Sequence, residues 1–317
     1  MNILVITTGG TIGSTFDGAA IDVNTAQSAA VVDQYTAEHS DVIFTVQSPL
    51  SILSESVTAA DLNALAQVIL NIDVQEYDGV IFTCGSDNLG YLSAFISLLC
   101  CRWERPVAVV AADRVLSDPL SNGYPNFCCA VELIRRGEGG AYVPYRNADG
   151  TMLIHAAADI RQADQSPEFF SFHAPYGTME NDIIILNSKY IERTIPAVFD
   201  RDHLPAIRGD VALIHPYPLL DYAALDLSGK KAVLHTLYHS GTLDSGCVVP
   251  AFKVLIDAGV PVYLSSLRSG KALYQTTADM IAAGAIALYD ISPECAYMKL
   301  LLAASQDKMP IREFMEA

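Results

Sequence analysis

The stretch "NILVITTGGTIGSTFDG", residues 2–18, sets a run of strand-forming residues directly against a turn rich in glycine and hydroxyl groups. Glycines at such a point let the backbone adopt positive φ or let a ligand come close to the main chain. The threonine hydroxyls there face whatever binds at the carboxyl end of the strand. A phosphate cradle, a nucleophile-bearing loop and a tight turn all fit this stretch alone. The spacing is not G-x-G-x-x-G, and no G-K-[ST] follows, which weakens the dinucleotide and P-loop readings.

Outward from this stretch, apolar strand-like runs alternate with helical patterns. "DVIFTV" (41–46), "GVIFTCG" (79–85) and "PVAVVAA" (106–112) read as strands. "NTAQSAAVVDQYTAEH", "SVTAADLNALAQVILN" and the segment Leu89–Arg102 carry helical spacing, the second opening with a capping-type Ser-Val-Thr. A β-α-β-α-β order predicts an α/β fold, with a mainly parallel sheet and helices on both faces. Ligands of such sheets bind outside the carboxyl ends of the strands. The loops "TTGGTIGS", "TCGSDN" and "AADRVLSDPLSNG" should therefore converge at one edge. The pattern breaks across "NSKYIERTIPAVFDRDHLPAIRG", read as a linker over 189–208 between a larger domain (1–188) and a smaller α/β domain (209–317). The smaller domain carries four strand-like runs, at "DVALIHPYP", "KAVLHTLYHSG", "VPVYLSSL" and "AIALYDI".

Composition narrows the function classes. The chain has 317 residues, 51% hydrophobic, with formal net charge −17 and pI near 4.6. That field disfavours nucleic acid and anionic membranes, which call for clustered Lys and Arg. No apolar run approaches a membrane span and no leader pattern opens the chain, so a cytoplasmic protein is expected. Seven cysteines, an odd count with two adjacent pairs and no CxxC, argue against a disulfide framework or a zinc site; they read as reduced, mostly buried residues. His155, His173, His215, His235 and His239 lack metal-ligand spacing and read as hydrogen-bonded core or surface residues. No metal and no cofactor are implied.

The element "GVIFTCGSDNLGYLSA" places Ser86 beside Asp87 after a strand. A hydroxyl next to a carboxylate suits nucleophilic or water-activating chemistry, although an Asx turn or helix cap uses the same residues. Taken in order, "TTGGTIGS", "GVIFTCGSDNLGYLSA" and "VAADRVLSDPLSNGYPNFCCAV" resemble the signatures of the L-asparaginase/glutaminase family. The first is similar to its T-G-G-T-I, the second to H-G-T-D-T followed by E-T-A, and the third to G-A-M-R-P followed by a D-G-x-x-N block. The resemblance covers nearly the whole chain. It implies Thr11 as the nucleophile of an acyl-enzyme, with Ser86 and Asp87 in place of the family's Thr-Asp pair. It further implies that Asp87 holds the substrate's α-amino group, that Ser54, with Glu55 beside it, holds the α-carboxylate, and that the Ala112 carbonyl meets the amide. Backbone N–H groups of the glycine-rich turns would stabilise the oxyanion. The turn holding Tyr238, Ser240 and Thr242 falls where the family reaches a neighbouring subunit's site, implying a homodimer or homotetramer.

Several positions depart from the family. The loop "STFDGAAIDVNT" has no tyrosine, and Ile21 or a neighbour stands in its place. Cys84 replaces a histidine, and Ser86 replaces a threonine. No lysine occurs in "HAAADIRQADQSPEFFSF", where Arg161 or Gln162 stands nearest. A tyrosine among 142, 145 and 176 is more simply a packing residue than a surrogate, with Tyr176 the one able to swing inward. The resemblance implies hydrolysis of a small amino-acid amide, asparagine to aspartate and ammonia first and glutamine second. The alternative is an inactive homologue that binds an amino acid as a sensor or sequestering protein. The amide-supplying component of a tRNA-dependent amidotransferase ranks third, because that relative carries an extra N-terminal domain and the first motif here begins at residue 6.

Overall fold

A computed structural model describes residues 1–10, 14–16, 21–23, 29–192, 204 and 206–316. The chain divides into two compact units, Met1–Pro196 and Ala197–Ala317. In the first, β1 (Asn2–Thr7) precedes a small antiparallel pair, β2 (Ser14–Phe16) with β3 (Ile21–Val23). Then come α1 (Ala30–Glu38), β4 (Ile43–Gln47), α2 (Ala59–Leu70), β5 (Gly79–Thr83), α3 (Leu89–Cys100), β6 (Pro106–Val110) and α4 (Gly123–Arg136). The unit closes with β7 (Gly140–Arg146), β8 (Met152–Ala156), β9 (Gly177–Glu180) and β10 (Ile183–Leu186).

Eight of these strands form one sheet in the order β10-β9-β8-β7-β6-β5-β1-β4. The five from β4 to β7 are parallel, as the alternating pattern predicts. β8, β9 and β10 extend it antiparallel, a feature outside that pattern. Every residue of β5 and β6 is buried, which suits apolar runs with no alternation. One face packs Ile3, Val5 and Ile81 against Tyr35 of α1 and Phe127, Val131 and Ile134 of α4. The helix α2 starts where the sequence suggests: the Thr58 side chain accepts from Asp61 N, and the Asp61 carboxylate accepts from Thr58 N at 2.8 Å.

The second unit holds β11 (Val211–Ile214), β12 (Ala232–Thr236), α5 (Ser245–Asp257), β13 (Val262–Leu267), α6 (Gln275–Ala282) and β14 (Ile286–Tyr289), followed by α7 (Pro293–Ser305) and α8 (Ile311–Glu316). Its four strands are all parallel, in sequence order. All seven cysteines are free; Cys84, Cys100, Cys129 and Cys295 are buried, Cys101 and Cys128 are partly so, and Cys247 is exposed. Among the described residues no helix is long and apolar enough to cross a membrane, and no group of three candidate ligands could hold a metal ion.

Two histidines lie wholly inside. His155 on β8 pairs Nδ1 with Ser171 Oγ at 2.8 Å, and His235 on β12 pairs Nε2 with the Tyr222 hydroxyl at 3.0 Å. Burial pushes His155 down to about 3 and His235 down to about 4, against ~6.5 in an unfolded chain. A group whose pKa is depressed by folding contributes stability above the unfolded value and loses it as pH falls. The urea midpoint should therefore drop between about pH 6.5 and 4.5. His155→Gln, which keeps a partner for Ser171, should show a shallower drop; equal slopes in the two proteins would refute the assignment.

Candidate active site

In the parallel half of the sheet, β4 lies on one side of β1, and β5, β6 and β7 lie on the other. The strand order therefore reverses at β1, and sheets of this kind bind ligands in the crevice outside such strand ends, here those of β1 and β5. Thr7 stands opposite Thr83 there, and the Thr8 amide and hydroxyl both donate to the Thr83 carbonyl, at 3.0 and 2.8 Å. Cys84 N continues the ladder by donating to Val110 O at 2.9 Å.

Two glycine contacts close the crevice floor. Gly10, at φ +91°, lies so close to β5's exit that a Cβ on it would sit 2.3 Å from Gly85 N. A Cβ on Gly85 would in turn sit 2.3 Å from Ser54 Oγ. The loop after β4 is tied in as well, since Ile52 N donates to Thr8 O at 2.6 Å. The exits of β1, β4 and β5 thus meet; of the loops expected together, those after β1 and β5 do so. Thr11 itself lies outside the described residues, as do residues 12–13 and 17–20 of its loop.

Ser54, buried in a short helical turn, donates its hydroxyl proton to Asp87 Oδ2 at 2.9 Å. The Asn88 side-chain amide donates to the Ser54 carbonyl, fixing the same turn a second time. Asp87 and Glu55 are exposed, and Ser86 is half-buried. Sequence reasoning passed over Asn88, although an Asx residue directly before a helix is a recognisable signal.

Between the two residues left open at the lysine position, the structure separates the roles. The Gln162 side chain spans the Ser86 turn: Oε1 accepts from Gly90 N at 3.0 Å and Nε2 donates to Ser86 O at 3.2 Å. Gly90 is required for that approach, because a Cβ there would meet Gln162 N at 2.8 Å. Arg161 instead places its guanidinium 5.9 Å from the centroid of the Phe172 ring. Tyr176 is a packing residue, as the simpler reading has it: its ring packs against Tyr142 at 4.6 Å, and its hydroxyl donates to Glu138. Tyr145 is buried against Phe169.

On the third loop, Ala112 is fully buried. Asn126 anchors the residue before it, donating from Nδ2 to Ala111 O at 2.9 Å. Asp113 and Asn122 exchange bonds, each backbone N–H donating to the other's side chain, at 2.8 and 3.0 Å. These asparagines were also missed, since their partners are backbone groups distant in sequence. Cys84 has no reactive character, because burial pushes its thiol up to about 12. In the second unit, Tyr238–Thr242 forms a tight turn closed by Tyr238 N to Thr242 O at 3.2 Å, with Ser240 Oγ and Thr242 Oγ1 2.8 Å apart.

This is an α/β protein whose main sheet reverses strand order at β1. The family model described as "Asparaginase, N-terminal" matches residues 2–190, and the chain belongs to the asparaginase family. Membership supports amidohydrolase or amidotransferase-type activity. The chain is 26% identical to a component of the glutamyl-tRNA(Gln) amidotransferase of Pyrococcus furiosus, over 94% of this chain and 71% of that protein. It is 27% identical to the protein of the same name in Methanosarcina mazei, over 96% and 74%. In three dimensions it is similar to the thermostable L-asparaginase from Thermococcus kodakarensis, with TM-score 0.77 and 19% identity, over 100% of this chain and 97% of that one. L-asparaginase I from Vibrio cholerae gives TM-score 0.75 and 21% identity over the same shares.

If Asp87 anchors an α-ammonium group, Asp87→Ala should weaken L-aspartate binding at least about tenfold, since bonds to charged groups contribute ~1.5–3 kcal/mol. Gly85→Ala should act similarly by forcing Ser54 away from Asp87. Calorimetry giving unchanged affinity in both variants would remove the anchor.

Proposed function

We propose that this protein is an asparaginase-type amidohydrolase. It hydrolyses the side-chain amide of a small amino acid, asparagine first and glutamine second, through an acyl-enzyme on Thr11. The carrying observation is the Ser54–Asp87 pair, with Ser54 set against Gly85 and Gly85 in turn against Gly10, the residue preceding that threonine. Asp87 binds the α-ammonium group in a charge-assisted contact. Ser54 and Glu55 lie beside it, and the Ala112 carbonyl orients the amide. Attack of the Thr11 hydroxyl on the amide carbon expels ammonia and leaves an ester. Water near Ser86 then attacks the ester, releases the acid and restores the hydroxyl. The turn Tyr238, Ser240 and Thr242 completes the site of a neighbouring copy in a homodimer or homotetramer. On this reading an N-terminal asparaginase-like domain (1–188) carries the nucleophile loop, with a linker (189–208) and a C-terminal α/β domain (209–317).

A second reading is favoured by Gln162. An amide cannot take up or release a proton at neutral pH, so no base acts from the position where the resemblance implies lysine. Losing a positioned acid or base costs roughly 10²–10⁴ in rate. On that reading the protein binds an amino acid and turns it over little or not at all. The name shared by the Pyrococcus and Methanosarcina relatives keeps a third reading open, delivery of the released ammonia to a partner rather than to solvent.

Ammonia release from a panel of α-amino-acid amides decides among these. Turnover above a heat-killed control, abolished by Thr11→Ala, is expected. A panel with no turnover, and a Thr11→Ala variant that binds asparagine unchanged, would favour the binder.

A further inference from the structure

A cavity of ≈ 400 Å³ lies in the first unit, bounded by the start of β7, the end of β8 and the last turn of α3. It sits at the amino end of the parallel strands, whereas Thr8, Gly85 and Asp87 lie at their carboxyl end. Three aromatic residues line it, Trp103, Tyr142 and Tyr190, the first two buried. Tyr176 stands behind two of these rings, its centroid 4.6 Å from that of Tyr142 and 5.2 Å from that of Tyr190. The Tyr142 hydroxyl donates to Gly139 O at 3.0 Å, which fixes that ring further. Gly140 makes this possible: it adopts φ +130°, and a Cβ on it would lie 2.8 Å from the Tyr142 hydroxyl. The aromatic wall is therefore set before any ligand arrives.

Every electrostatic feature of this wall favours positive charge. Glu192, exposed, is the one charged side chain among the described residues that line the cavity. Helix α3 ends here, with Ser97 and Cys101 in the lining and no basic residue in its last turn, so its partial negative pole lies at the cavity. Arg102, next along the chain, is exposed and outside the lining. Aromatic faces carry negative potential and attract cations within about 6 Å of the ring centroid. A chain of formal net charge −17 also concentrates cations near its surface. We infer that this cavity is a binding site for a small alkylammonium ion. Its methyl or methylene groups pack against the three rings, and Glu192 offsets its charge from the mouth. An anion would meet repulsion from all of these groups, and a neutral molecule would gain only the apolar contact. The site stands apart from Thr11 and Asp87, and its occupancy does not depend on their chemistry.

Trp103 is the protein's one tryptophan, so its emission reports on this cavity. The full chain is titrated with choline chloride and with the neutral alcohol in which carbon replaces choline's nitrogen, at matched ionic strength and with calorimetry alongside. A saturable change in emission is expected with choline, at an affinity at least about tenfold above that for the alcohol. Sodium chloride at the same ionic strength should produce none. Glu192→Gln should weaken choline binding about two- to fivefold at low salt and less at high salt. Tyr190→Leu, which removes one ring, should weaken it about threefold or more. Equal affinity for choline and the alcohol would mark a merely apolar pocket and overturn the cation assignment. Absence of binding in both emission and calorimetry would overturn it too, as would choline binding left unchanged in both variants.

Discussion

The site depends on one steric constraint, the approach of three chain segments to distances that only glycine allows. Gly10 presses on Gly85, and Gly85 presses on the Ser54 side chain. Neither contact leaves room for a methyl group. The parallel pairing of β1 with β5 brings these turns to the same edge, and buried apolar strands hold that pairing in register. The glycines then remove the last few ångströms between a hydroxyl-bearing loop and a carboxylate. A side chain on Gly85 would push the Ser54 side chain away, and one on Gly10 would push the backbone at Cys84 and Gly85. Fold and chemistry therefore meet at two residues that contribute no functional group.

Around this contact, polar side chains bond mainly to backbone. Asn88 holds the Ser54 carbonyl, Gln162 bridges Ser86 and Gly90, and Asn126 joins Ala111 to Arg146. Such bonds fix loop geometry at the cost of side-chain freedom, which suits a site whose catalytic power comes from preorganised groups. Gln162 shows the trade most clearly. A lysine at that place could carry charge or move a proton; the glutamine can only hold the turn. Its two bonds hold the Ser86–Gly90 segment and leave its amide no role in proton transfer.

Much of the scaffold was legible in the sequence, because its signals are local. Continuous apolar runs marked β5 and β6, the Ser-Val-Thr ending at Thr58 marked the start of α2, and the order of strands and helices required a mainly parallel sheet. The antiparallel extension through β8 to β10 was not legible. β9 and β10 are four-residue strands whose pairing partners are set by tertiary context rather than by period. Within the site, Ser54, Ser86 and Asp87 could be picked out by residue type and place in a motif. The choice between Arg161 and Gln162 could not, because adjacent residues on a loop differ only in which way each points. The roles of Asn122 and Asn126 stayed hidden for a related reason, since their partners are carbonyls and amides that sequence does not distinguish.

On the amidohydrolase reading, the departures from the family pattern would bear on how fast an amide turns over more than on whether it does. Enzymes commonly accelerate reactions by 10⁶-fold or more, and a missing acid or base removes ~10²–10⁴ of that. A site that keeps a bound ammonium, an oriented amide and oxyanion donors would retain measurable acceleration without lysine. Orientation alone can supply several kcal/mol of the barrier when reacting atoms are held in line. The hydrogen bonds to Asp87, Ser86 and Ala111 are of that orienting kind. A protein under no demand to react could relax them, since binding an ammonium requires a carboxylate but not a glycine at residue 10. The tightness of the Gly10–Gly85 contact, which brings the chain to Thr11, therefore weighs towards chemistry at that residue over simple sequestration.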